Sequence, residues 1–150
     1  MLKKNYLIYF CFLFVLACDY TPMHLSKGLD YKIKILEING DNEINNYLVS
    51  ALKRNSKNSG KEIQIRIKTT SSKEVIAKDT KSLATDYKLN TMANFELILE
   101  NDSKNITFKE SFTYKNLNNS YEQGIYEKTI KKNFAQSIVN KLNLRIQNLL

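Results

Sequence analysis

The chain has 150 residues, a net charge of +8 at pH 7, two cysteines, four glycines and one histidine. So few histidines, cysteines and glycines exclude a His/Cys zinc cluster, a disulfide framework and a glycine-rich phosphate loop. All but three of the 23 basic residues are lysine, and with the abundant Asn and Ile this reads as the bias of an AT-rich genome. A solvated basic surface with modest affinity for anionic lipid headgroups is expected, not a nucleic-acid partner.

The N-terminus reads as a targeting segment. Lys3 and Lys4 precede an uncharged apolar run, Leu7 to Ala17, which ends on a small residue before Cys18. A positive end, a short apolar stretch and a small residue at the cut make a secretory signal. The run is too short to span a bilayer, which takes about 20 apolar residues. Val15-Leu16-Ala17-Cys18 resembles the bacterial lipobox, which implies that residues 1–17 are removed and that Cys18 carries the lipid. Cys11 would leave with the signal, so no free thiol would remain in the mature chain. Two lysines would leave with it.

Residues 18–30 hold the only proline, Pro22, and have no periodicity; they are expected to be a lipidated tether. Residues 31–150 are expected to form a single domain. Tyr31 to Ile38 is β-branched and reads as a strand. Asn39-Gly40 is a turn dipeptide, and Asp41 is placed to cap a helix from about Asn42 to Arg54. That helix carries Ile44, Tyr47, Leu48, Ala51 and Leu52 on one face. A polar loop, Asn55 to Gly60, follows. Ile63, Ile65 and Ile67 then alternate with polar residues as a strand does, and a turn is expected near Ser71-Ser72.

From Leu83 to Leu99 the odd positions are largely apolar and the even ones polar. Few single strands reach that length, so a long, bent or bulged strand is expected. A turn over Asn101 to Asn105 leads to a strand carrying Ile106, Phe108, Phe112 and Tyr114. Glu110 falls on its apolar parity, which suggests a bulge or the wet end of the strand. After the polar loop Asn116 to Ser120, the side chains Ile130, Phe134, Ile138, Leu142 and Ile146 step by four along a long final helix. The order strand, helix, three strands, helix predicts an α+β fold. It is a two-layer α/β sandwich with two helices on one face of a mostly antiparallel four-stranded sheet. The first and the long third strand are candidates for a parallel pair.

No catalytic constellation emerges. His24 is the only histidine and lies in the tether, so no serine has a base to activate it. The chain is therefore expected not to be an enzyme, and to need neither a cofactor nor a metal.

After the anchor the chain reads Cys18-Asp19-Tyr20-Thr21-Pro22-Met23-His24. This resembles the mature start of the lipopolysaccharide-assembly lipoproteins, the LptE family, commonly Cys-Gly-Phe-x-Pro-Leu-Tyr. Cys18 and Pro22 match outright, Tyr20 stands for an aromatic and Met23 for a leucine, while Asp19 and His24 depart from the pattern. The order of elements is also similar to that family. The resemblance implies a lipid-anchored protein on the periplasmic side of the outer membrane, a plug for the LptD β-barrel translocon that helps it assemble, and direct binding of lipopolysaccharide through basic residues. Lys88 on the wet face of the long strand, with Lys109 and Lys115 on the next, are the candidates for lipid A phosphates. Asp19 resembles the inner-membrane retention signal of some enteric bacteria, which leaves the destination membrane open. The alternative is a stand-alone periplasmic lipid- or solute-binding lipoprotein with a deep apolar pocket.

Overall fold

A computed structural model describes residues 31–56, 60–99, 102–117 and 119–149. The signal, the tether and Cys18 lie outside them. Strand β1 (Tyr31–Asn39), helix α1 (Asn42–Asn55), strands β2 (Lys61–Lys78), β3 (Ala84–Leu99) and β4 (Asp102–Lys115) and helix α2 (Ser120–Gln147) follow in that order. The sheet order is β1-β2-β3-β4. β2, β3 and β4 are antiparallel, while β1 runs parallel to β2. The parallel partner of β1 is thus β2, reached through the α1 crossover, and not the long third strand.

The expected sandwich is present. Ile63, Ile65 and Ile67 of β2 and Ala93, Phe95 and Leu97 of β3 are buried beneath both helices. From α1 come Ile44, Leu48, Ala51 and Leu52, and from α2 Ile138, Val139, Leu142 and Ile146. Leu89, Tyr114, Ile130 and Phe134 form a second cluster, covered by the first half of α2. β1 keeps its inward set despite a register break between Ile35 and Glu37, which leaves Leu36 outside and returns Ile38 opposite Ile67.

Three details differ from the sequence reading. No turn occurs at Ser71-Ser72; both stay in the ladder, opposite Thr91 and Asn90. Continuous pairing with β3 overrides the turn preference of serine. The long hairpin is bulged as expected, and in both strands: Ile76 is the extra residue in β2, between Val75 and Ala77, and Thr85 the extra residue in β3, opposite the step from Ala77 to Lys78. β4 already begins at Asp102, so Asp102 to Asn105 pair with Leu99 to Glu96. Glu110 makes no bulge either: it pairs with Thr91, and its carboxylate accepts from Ser137 Oγ at 2.8 Å and Lys141 Nζ at 2.7 Å on α2.

Asp41 caps α1, its carboxylate accepting from Ile44 N–H at 2.8 Å. Lys131 of α2 reaches both acids at that end, Glu43 at 2.8 Å and Asp41 at 3.7 Å. Burial alone would lower the Lys131 pKa, but these two carboxylates outweigh it and raise it. Tyr31 is buried, its hydroxyl donating to Asn143 Oδ1 at 3.1 Å, and burial pushes it from 10.0 to about 12. Tyr114 is pushed up as well, first by burial. In all three the protonated form is favoured by the fold, so their contribution is complete below the unfolded values and is lost as pH rises through the folded ones. The melting temperature is expected to fall steeply between pH 10 and 12, and Tyr31→Phe to make that fall shallower. A pH series of thermal melts checks both.

Candidate functional site

The alternation that buries the odd residues of β3 turns its even residues to the helix-free face of the sheet. All three candidate lysines lie on that face. Lys88 sits between Glu74 of β2 and Thr113 of β4, Lys115 opposite Asp86, and Lys109 opposite Met92. Lys88 and Lys115 are diagonal neighbours, about 7–8 Å apart along the backbone. Lys109 lies six residues from Lys115 along β4, roughly 20 Å away. The structure therefore brings two of the three together and leaves the third apart.

None of the three takes part in an ion pair among the described residues. Towards the other end of the same face the charges are matched. Arg66 pairs with Glu96 at 3.0 Å and with Glu37 at 3.9 Å, and Lys34 with Glu62 at 3.5 Å. Lys109 borders a shallow depression of about 350 Å³ on this face, floored by Met92 and lined by Thr70, Ser72, Asn90 and Ser111. A second concavity, about 610 Å³, runs between β1 and α1 and is lined by Ile33, Ile35, Ile38, Val49 and Leu52, with Lys32 and Lys53. It is an open groove at the sheet margin, not an enclosed pocket. Among the described residues no group of three or more His, Cys, Asp or Glu could hold a metal ion.

A feature missed in the sequence reading is the far end of the domain, where α1 no longer covers the sheet. All but two of the large hydrophobics exposed among the described residues, Leu36 and Leu144, lie there. The β2–β3 hairpin brings Val75, Ile76 and Leu83, β4 and its exit bring Phe112 and Leu117, and the first turns of α2 bring Tyr121, Ile125 and Tyr126. Leu83 is 63% exposed and Tyr121 74%. Apolar side chains thus wrap several sides of one end, whereas an isolated exposed leucine would mean little. Two sequence signals were available. Val75 and Ile76 are consecutive in a strand, so both cannot face inward, and Tyr121 and Ile125 lie off the step-of-four stripe of α2.

Polar contacts fix this end in place. Lys73 Nζ lies 2.5 Å from Glu127 Oε1 on α2 and 3.9 Å from the centre of the Tyr87 ring. Gln123 Nε2 donates to Glu127 at 2.7 Å, and its carbonyl accepts from Leu117 N–H at 2.8 Å. Burial raises the Glu127 carboxyl pKa, but the hydrogen bonds from Lys73 and Gln123 outweigh it and help hold it below the usual carboxylate range.

The chain matches no family model and no curated protein sequence. Its fold is shared with solved structures. Rare lipoprotein B from Shewanella oneidensis superposes with a TM-score of 0.57 at 13% identity, over 77% of this chain and 98% of that one. A protein of Caulobacter crescentus described as a lipoprotein superposes with a TM-score of 0.54 at 14% identity, over 78% of this chain and 88% of that one. At such identities the likeness is one of fold: the two-helix, four-strand sandwich seen here is also that of these lipoproteins.

Proposed function

We propose that this chain is an outer-membrane lipoprotein of the lipopolysaccharide transport machinery, anchored through Cys18, which plugs an LptD-like β-barrel and helps it assemble. The observation that carries the reading is the hydrophobic end. A freely soluble periplasmic domain has no use for apolar side chains on several sides of one tip, whereas a plug needs such a surface to pack inside a surrounding wall. Length supports it. β2 alone has 18 residues, roughly 55 Å from end to end, more than the 40–45 Å or so of a bilayer with its headgroups. The resemblance at Cys18 to Pro22 and the shared fold of rare lipoprotein B point the same way. A pull-down of the anchored chain from detergent-solubilised outer membrane is expected to bring a large barrel protein. Recovery as a free monomer, with normal surface lipopolysaccharide after gene deletion, rejects the reading.

Lys88 and Lys115 are the candidates within this reading for the lipid A phosphates, since they are neighbours with no ion pair among the described residues. Each cation near an anionic surface contributes about 1 kcal/mol. Lys88→Glu with Lys115→Glu is expected to weaken lipopolysaccharide binding by at least tenfold at low salt, without a change in melting temperature. Lys34→Glu, at an already paired site, is expected to have a much smaller effect. Titration of labelled lipopolysaccharide at two salt concentrations checks this. The alternative of a stand-alone lipid-binding lipoprotein rests on the apolar groove between β1 and α1. It predicts that no barrel is recovered in the pull-down and that a bulky replacement in the groove, Val49→Phe, lowers acyl-chain binding.

A further inference from the structure

β1 and β2 end at different heights. β1 stops at Asn39, opposite Lys68, while β2 continues to Lys78. Thr69 is closed off by the start of the crossover: its carbonyl oxygen faces Gly40, and its hydroxyl donates to Asn45 Oδ1 at 2.7 Å. From Thr70 onward, no strand lies beside β2 on the side away from β3 among the described residues.

The direction of the backbone groups along this stretch follows from Thr69. Its carbonyl points towards the β1 side, and strand backbone groups alternate with period two. Ser71, Lys73 and Val75 therefore present N–H and C=O to the open side, while Thr70, Ser72 and Glu74 face β3. The neighbouring ladder has the same parity. Asn116 N–H donates to Thr85 O at 2.7 Å, so odd residues of β3 face β4 and even ones face β2.

Side chains say what would cover this edge. Val75 closes this edge and Ile76 is the extra residue of the register break that follows it, and the two are 47% and 48% exposed. A row of unpaired main-chain groups is satisfied by a strand laid alongside, which also borders these two side chains, and not by a helix or a flat surface. Edge lysines usually guard against such pairing, but Lys73 is drawn back over the Tyr87 ring and onto Glu127. Glu74 is likewise held within the sheet, accepting from Asn90 Nδ2 at 3.0 Å. The register break after Val75 ends the run, leaving Thr70–Val75, about 20 Å, the length of an ordinary strand.

We propose that Thr70–Val75 is a docking edge that accepts an extended segment of the barrel partner as a fifth strand, through the main-chain groups of Ser71, Lys73 and Val75, with apolar side chains of that segment beside Val75 and Ile76. This rests on the docking role proposed above and names how the partner is held. The test uses the full anchored chain. Ser71→Pro removes an outward N–H and leaves the β2–β3 ladder intact, because proline is tolerated where the N–H faces out of the sheet. It is expected to melt within a few degrees of the wild type, and the barrel recovered in the pull-down is expected to fall at least tenfold. Amide exchange over residues 69–77 is expected to slow in the wild-type complex relative to the free chain. Wild-type barrel recovery by folded Ser71→Pro, or equal exchange in the free and bound chain, overturns the inference while the docking role stands. If Ser71→Pro does not fold, the exchange comparison alone decides. No barrel with the wild-type chain overturns both. Concentration-dependent protection of residues 69–77 in the isolated chain makes the occupant a second copy and also overturns the proposal.

Discussion

Replacing Gly40 by alanine is expected to lower the melting temperature by about 15 °C or more. Gly40 has φ +107°, a conformation that L side chains rarely adopt, and a Cβ built there falls 1.8 Å from the carbonyl oxygen of Thr69. The positive φ alone costs about 1–3 kcal/mol in a residue with a side chain. The clash is with backbone, so it cannot be relieved by a rotamer change. Either β1 moves away from β2, breaking the parallel register, or the Asp41 cap of α1 is displaced. Such a conflict belongs to the small class of substitutions that cost more than about 4 kcal/mol. Gly124 supplies the control. It lies in α2, and nothing stands within 4 Å of its added Cβ. There Gly→Ala is expected to stabilise by roughly 1 kcal/mol through helix propensity. Thermal melts of the two variants side by side check the contrast, and equal melting temperatures would refute the assignment of Gly40 as a steric requirement.

Asn39-Gly40 was readable as a turn, but the reason for glycine was not, because Thr69 is 29 residues further on in the sequence. The same division runs through the fold. Period-two alternation in Ile63–Ile67 and Leu89–Leu97, and the step of four from Ile130 to Ile146, are local patterns; all three identify residues now buried. Asp41 as a cap is equally local. What escaped depends on distant partners. Ser71-Ser72 has turn chemistry, yet β3 holds it in a strand. Glu110 breaks an apolar pattern, yet Ser137 and Lys141 receive it. The parallel pairing of β1 follows from the crossover, and strand sequences do not record their neighbours. For the site, alternation correctly put Lys88, Lys109 and Lys115 on one face, but only the register shows that Lys88 and Lys115 are adjacent and Lys109 is not. The hydrophobic end was missed because it is assembled from three separate segments, none of them unusual alone. It becomes visible only when α1 is seen to be too short to cover the whole sheet.

Cys18→Ser is expected to release the chain from the membrane and, on the proposed function, to deplete the barrel of its plug although every docking residue is intact. Burial of acyl chains contributes about 0.8 kcal/mol per methylene; one chain gives only reversible binding, and two or more hold firmly. A serine oxygen in place of the sulfur cannot form the thioether, so diacylation and the cut before residue 18 are both expected to fail. Intact-mass measurement is then expected to show a wild-type chain starting at Cys18 with its acyl chains and a variant without them. Twelve residues separate Cys18 from Tyr31, a reach of at most about 45 Å, so the anchor confines the domain to a thin layer over the membrane. Confinement raises the effective concentration at a barrel in the same membrane without adding a contact. Overexpression of Cys18→Ser is therefore expected to restore barrel occupancy in part, whereas overexpression of a chain altered at the hydrophobic end, such as Tyr121→Asp with Ile125→Asp, is not. Equal rescue of both would mean that the end does not dock, and a wild-type mass with Met1 or a bare thiol at residue 18 would remove the anchor itself.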